Sequence, residues 1–151
     1  PKLVKGPDIF IDLVKLIYAK NKKLKVILSG KRRNYVINQL EEAGIPYRYF
    51  EMVPLDVLNK LYNILNLYLV TSRVEGGPQA IFECALTKTP ILSTRVGVAP
   101  EVLHKDSIYK VGEFTKAKID IDYAFDSAQK YTIPNGFDKF LNMFSGVKIE
   151  S

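Results

Sequence analysis

LYLVTSRVEGGPQAIFECAL, residues 67–86, is the stretch on which the fold turns. Leu67 to Thr71 is a short, continuously apolar run, as expected of a strand covered on both faces, which is the habit of parallel sheets. Ser72 to Gly77 is polar and ends in two glycines. Pro78 suits the first turn of a helix, and the segment to Leu86 continues as one. Strand, polar turn and helix in that order make half of a βα repeat.

The same alternation extends in both directions. Upstream, Leu55 to Leu65 is a helix with Leu55, Leu58, Leu61, Tyr62 and Leu65 on one face. Before it come a strand within Ile45 to Phe50, a helix from Asn34 to Ala43 stopped by Gly44, and a strand from Leu24 to Leu28. Pro7 opens the first helix, in which Ile9, Phe10, Leu13, Val14, Leu16 and Ile17 recur at helical spacing. Downstream, Pro90 to Thr94 is a strand, Pro100 to His104 a helical turn, and Ser107 to Val111 a last strand. The pattern predicts a doubly wound α/β domain with a mostly parallel sheet of about six strands, one of them lying just before or around residue 1. Right-handed crossovers put helices on both faces. Residues 1–112 form the core of this single domain (1–151), and two C-terminal helices follow, Ile119 to Lys130 and Phe137 to Phe144.

Composition sets outer bounds. The 151 residues are 47% hydrophobic and 25% charged, ordinary for a globular protein with a real core. No apolar run approaches the roughly 18–20 residues that span a bilayer. One cysteine, Cys84, excludes an intrachain disulfide and fits a reducing compartment. A net charge of +6 suits a phosphorylated small molecule, a membrane surface or nucleic acid without choosing among them.

Ligands of open α/β sheets bind outside the carboxyl ends of the strands. Here those ends are Ser29-Gly30-Lys31, Thr71 to Gly77 and Ser93 to Gly97, each with glycine and a basic residue, so Gly30, Arg73 and Arg95 stand where an anionic ligand would meet them. Gly76 and Gly77 let a ligand approach the backbone, and the start of the following helix offers N–H groups to phosphate or hydroxyl oxygens. Glu75 precedes that helix and Glu83 lies two turns along, about 8–10 Å apart by helical rise. That is too far to share a proton, but it suits two carboxylates holding separate hydroxyl-bearing parts of one extended ligand. Glu75 also reads as a solvated loop acid. Glu83, among Ile81, Phe82, Cys84 and Ala85, needs a partner on physical grounds. Lys31-Arg32-Arg33 reads first as a solvated helix start, and His104, the single histidine, as a surface residue without the companions a metal needs.

Glu75 and Glu83 have the Glu-x7-Glu spacing of the group 1 glycosyltransferases (glycosyltransferase family 4, GT-B architecture), and the chain resembles that family at further points. Lys5-Gly6-Pro7-Asp8 is similar to its Lys-Gly-x-Asp. Val26 to Gly30 resembles its strand ending in glycine. Leu58 to Ser72 resembles its Leu-x2-Tyr, strand and Ser run. Pro90 to Gly97 with Pro100-Glu101 resembles its Pro-strand and Gly-loop-Glu. The resemblance covers about residues 3–112 and implies the carboxy-terminal, Rossmann-like half of a GT-B enzyme. It implies that Lys5 contacts the donor diphosphate, Glu75 holds the donor sugar with the backbone of Gly76, Gly77 and Pro78, Glu83 holds ribose hydroxyls, and Val53 in the Met52–Pro54 loop borders the base. It further implies transfer of a hexosyl group with retention and without a bound metal or other cofactor. The donor is a nucleoside-diphosphate sugar, UDP-sugar by frequency. The acceptor is a saccharide, lipid or protein, held by an amino-terminal domain of the same polypeptide that lies outside this chain. The family setting is cytoplasmic, with peripheral membrane contact and no nucleic acid.

Three positions depart from the family pattern: Cys84 for alanine, Lys88-Thr89-Pro90 for Gly-x-Pro, and a single glycine at Gly30 where two are common. Other classes stay open. A GT-B sugar-nucleotide epimerase calls for more histidines than His104 alone, a non-catalytic sugar-nucleotide-binding domain keeps the fold without transfer, and a nucleic-acid binder rests on charge alone.

Overall fold

A computed structural model describes residues 2–145, so the strand expected just before or around residue 1 lies outside the described residues. The elements run α1 (Pro7–Lys20), β1 (Val26–Ser29), α2 (Asn34–Glu42), β2 (Tyr47–Phe50), α3 (Leu55–Ile64), β3 (Tyr68–Val70), α4 (Gln79–Leu86), β4 (Ile91–Ser93), α5 (Ala99–Val102), α6 (Ile121–Gln129) and α7 (Asn135–Ser145). This is the α/β alternation that the sequence predicts. All the pairing is parallel: β1 with β2, Val26 opposite Tyr47, and β3 with β4, Tyr68 opposite Ile91. The two pairs form separate two-stranded sheets.

The expected last strand shrinks to one parallel bridge between Ser93 and Ile108, with the Tyr109 N–H donated to the Ser93 carbonyl at 2.9 Å. A 3-10 turn over Lys105–Ser107 precedes it, and Gly112 at φ +90° turns the chain away soon after, so little extended backbone remains to pair.

Side chains alternate across the strands, which sorts the core into two faces. Val70 and Ile91 point to a cluster with Tyr62 of α3, Ile81, Cys84 and Ala85 of α4, and Ala124 and Ala128 of α6. Leu92 and Leu69 point the other way, to Ile9 and Leu13 of α1. Val26 and Leu28 of β1 join Ile11 and Val14 of α1 with Val36 and Leu40 of α2. Helices therefore cover both faces, as a doubly wound fold requires. Local signals end the helices where the sequence places them. Gly44 (φ +61°) follows α2, and the N–H groups of Gly44 and Ile45 close on the carbonyls of Glu41 and Leu40. Among the described residues no helix is long and apolar enough to cross a membrane.

Candidate functional site

The start of the chain is laced to the end of β3. A 3-10 turn, Leu3–Lys5, closes on Gly6, whose φ of +60° brings it against Thr71. A Cβ there would stand 1.9 Å from the Thr71 carbonyl oxygen, so only glycine fits. The Arg73 N–H donates to the Val4 carbonyl (2.7 Å), and the Thr71 hydroxyl donates to the Lys5 carbonyl (3.2 Å). This lacing sets the Lys5 ammonium on the Glu75 carboxylate, 70 residues away in sequence.

Glu75 has a second partner, the Ser72 hydroxyl, at 2.7 Å on its other oxygen. Burial alone would push the Glu75 carboxyl up. The hydrogen bonds from Lys5 and Ser72 outweigh it and hold the group below the usual carboxylate range, ionised at neutral pH. Lys5 stays half exposed, so the pair borders open space.

Gly76 and Gly77 carry the chain from Glu75 into α4. A Cβ on Gly76 would meet nothing within 4 Å, leaving its backbone open to an approaching group. From the other side the β4–α5 loop presses on the same turn: a Cβ on Gly97 (φ +45°) would lie 2.2 Å from the Gly76 carbonyl oxygen. The Thr94 hydroxyl adds a 2.6 Å hydrogen bond to the Ser72 carbonyl. At the start of α4, Pro78 is the N-cap, and among the described residues no side chain caps the helix, so its first N–H groups are not taken up by a capping side chain.

Glu83 is half-buried rather than enclosed, and its partner is the Tyr62 hydroxyl of α3 at 2.7 Å. Burial, and then the Glu83 carboxylate itself, hold that hydroxyl far above its ordinary range, so Tyr62 remains the donor. One Glu83 oxygen is thereby fixed, while no hydrogen bond among the described residues engages the other.

A cavity of about 570 Å³ opens among these groups. Its polar mouth is formed by Lys5, Gly30, Arg33, Ser72, Glu75 and Gln79, at the carboxyl ends of β1 and β3. Pro78 lines it too, whereas Val53, Gly76, Gly77 and Glu83 are not among the described lining residues; Glu83 stands behind Tyr62, which is. Arg73, expected at the ligand, instead grips Asp8 at the start of α1 with both guanidinium nitrogens (2.8 and 2.5 Å) and also donates to the Leu3 carbonyl. That fork draws the Asp8 carboxyl down to about 2. Arg33, expected in a solvated helix start, has its guanidinium tied to the Ser29 carbonyl at 2.8 Å beside Gly30. The sequence carries no local signal for this, because the left-handed turn at Arg32 (φ +64°) that aims Arg33 back is not encoded by a glycine. His104 accepts from the Asp106 N–H and packs edge-on to Tyr123, as a surface residue would.

Comparison with known proteins bears on the family and the fold. The family model for glycosyl transferases group 1 matches residues 2–130. Among curated proteins none matches by sequence. Among solved structures, TarM has a TM-score of 0.68 at 17% identity over 95% of this chain and 33% of that one. An S. aureus TarM mutant in complex with fondaparinux, α-GlcNAc-glycerol and UDP has a TM-score of 0.67 at 16% identity, over the same shares of the two chains. AviGT4, a glycosyltransferase of avilamycin A biosynthesis, has a TM-score of 0.57 at 15% identity, covering 95% of this chain and 49% of that one. The chain thus spans about a third of the TarM structures it matches, and at these identities the likeness speaks for the fold. With the family model spanning most of its length, the chain belongs to the group 1 glycosyltransferases.

Proposed function

We propose that this chain is the donor-binding half of a retaining glycosyltransferase that moves a hexosyl group from a nucleoside-diphosphate sugar to a saccharide, lipid or protein acceptor. One observation carries the proposal: Lys5, Glu75 and the uncapped start of α4 converge at one cavity mouth. Each answers a different part of such a donor. Ionised Glu75 accepts hydrogen bonds from sugar hydroxyls. Lys5 and the first N–H groups of α4 meet the diphosphate, where negative charge grows as the bond from the anomeric carbon breaks, and preorganised donors at that point lower the barrier. Glu83, with one oxygen held by Tyr62, offers the other to ribose hydroxyls. Arg33 beside Gly30 supplies a second cation for phosphate. In this reading Arg73 is an anchor for the Lys5 turn rather than a donor ligand, and Val53 borders the base. The charges needed come from protein side chains and helix N–H groups, so the proposal includes no metal. The TarM mutant, similar in fold, is in complex with UDP, which supports a uridine donor. The acceptor wall belongs to the amino-terminal domain of the family's architecture. Cys84, buried and unpaired, suits a reducing compartment such as the cytoplasm.

The test is an NMR titration of the chain with UDP-, GDP- and ADP-sugars. The proposal expects saturable shifts at residues 72–83 and at Gly30 with one of the three, lost in Glu75→Ala. Titrations that leave residues 72–83 unmoved at millimolar ligand would remove the assignment.

A further inference from the structure

Gln79 opens α4 at the polar mouth of the cavity, exposed and beside Ser72, Glu75 and Pro78. We propose that its side-chain amide selects the transferred sugar, favouring one with an acetamido group at C2 over a plain hexose. The inference rests on the donor-binding reading above and carries it one step further, to the class of sugar.

The first observation is that Gln79 is uncommitted. The other functional side chains of the mouth have protein partners: Lys5 and Ser72 both bind Glu75, and Arg33 binds the Ser29 carbonyl. Among the described residues no hydrogen bond engages the Gln79 amide. The second is position. Ile81, Cys84 and Ala85 make the buried face of α4. Gln79 lies on a different face, one turn before Glu83 and next to it along the helix. Glu75, Gln79 and Glu83 thus follow one another at equal sequence steps, with Gln79 about 6 Å short of Glu83 along the axis. A donor held by Glu75 at its sugar and by Glu83 at its ribose passes Gln79 midway, where the sugar joins the diphosphate. There the sugar presents its anomeric carbon and the substituent at C2.

The third is chemistry. An ionised diphosphate accepts hydrogen bonds, and Lys5, Arg33 and the free N–H groups of α4 are pure donors that suit it. Gln79 is different: its Nε2 donates, but its Oε1 accepts and has nothing to take from phosphate. The C2 substituent that answers both atoms at once is a second amide. An acetamido N–H donates to Oε1 while its carbonyl accepts from Nε2. A C2 hydroxyl reaches one of the two atoms and leaves the other to water. There is also space for the larger group, since a Cβ on Gly76 would meet nothing within 4 Å. A site that hydrogen-bonds a substrate group in this way discriminates against the analogue that lacks it.

The test uses the full 151-residue chain and its Gln79→Met variant, in which methionine keeps the length and helical preference of glutamine without the amide. NMR titrations with UDP-N-acetylglucosamine and UDP-glucose, which differ only at C2, give the affinity ratio of the two within each form, so a general change at the mouth cancels. UDP alone is titrated as the reference. The native chain is expected to bind UDP-N-acetylglucosamine about fivefold more tightly than UDP-glucose, and Gln79→Met to bring the ratio to about one. A native chain that binds the two equally, or prefers glucose, overturns the inference and leaves the donor reading intact. A preference that survives in Gln79→Met does the same, since another group then reads C2. If UDP and both sugar nucleotides leave residues 72–83 unmoved, the donor reading falls and this inference falls with it.

Discussion

At the scale of single residues, two glycines with the same sign of φ separate strain from collision. Gly44 and Gly97 both adopt left-handed backbone, at φ +61° and +45°, but a Cβ on Gly44 meets nothing, whereas one on Gly97 meets the Gly76 carbonyl at 2.2 Å. Gly44→Ala should therefore cost only the left-handed penalty, about 1–2 kcal/mol. Gly97→Ala should cost at least about 1 kcal/mol more and weaken donor binding besides, because the Gly76 turn has to move. Urea unfolding of the two variants, with a donor titration of each, checks this; equal costs and unchanged binding would contradict it. Asp8 offers a test with a defined pH window. Its carboxyl, ordinarily near 3.8, is held at about 2 by the Arg73 fork. A lowered pKa means that the folded state favours the ionised form, so the contribution is complete above about pH 4 and fades as pH falls through 2. Asp8 and Arg73 are both more than a third exposed, so solvent screening keeps the contribution below about 1 kcal/mol. The stability difference between the native chain and Asp8→Asn should be flat from pH 7 to 4 and shrink below that. A difference that persists unchanged at pH 2.5 would point to packing rather than charge.

At the scale of elements, α4 shows which features are legible in the chain and which are not. Its start and its buried face follow from local chemistry, since Pro78 suits a first turn and Ile81, Cys84 and Ala85 fall on one side. Its exit differs from the family's glycine, because Lys88 adopts φ +54° just after the helix ends, a conformation that favours glycine. Lys88 also reaches exposed Asp122 at 3.4 Å and the half-buried Phe125 ring at 4.6 Å, and with its ammonium in solvent both contacts are worth little. Lys88→Gly is therefore expected to stabilise the domain by about 0.5 kcal/mol, relief of strain exceeding the extra chain entropy of glycine. A lower thermal midpoint in that variant would show that the α4–α6 contact through Lys88 outweighs the strain. The same division between local and tertiary information runs through the site. The Glu75–Glu83 spacing, the Gly76-Gly77 turn and Pro78 are visible in one dimension. The Lys5 partner of Glu75, the Tyr62 partner of Glu83 and the Asp8 partner of Arg73 are not, since each depends on how β3, α1 and α3 come together. The last strand is over-read from its apolar residues for a related reason: a 3-10 turn and Gly112 leave Ile108 a single bridge.

At the scale of the whole molecule, the position of the site predicts how binding and transfer divide. Lys5, Glu75, Arg33 and the α4 N-terminus are all held by contacts inside residues 2–145: the Lys5 turn by Thr71 and Arg73, Glu75 by Ser72, and Arg33 by Ser29. The proposed donor surface is thus preorganised within this chain. It lies at an open mouth, however, with Lys5 half exposed, so water reaches the groups that would face a breaking bond. Screening by water weakens the electrostatic stabilisation on which such a transfer depends. The chain alone is therefore expected to bind a nucleotide sugar with a Kd of about 0.1–1 mM, on the weak side because one wall contributes all the contacts. It should release no free nucleotide above the uncatalysed rate. Covering the mouth with a second domain should raise kcat far more than it tightens binding, since the donor contacts are already in place and exclusion of water acts on the transition state. Calorimetric titration and a nucleotide-release assay, run on this chain and on the same chain joined to an amino-terminal GT-B domain, measure both quantities. Turnover by the chain alone, or a gain confined to affinity, would mean that the groups gathered around Glu75 do not depend on a closed cleft.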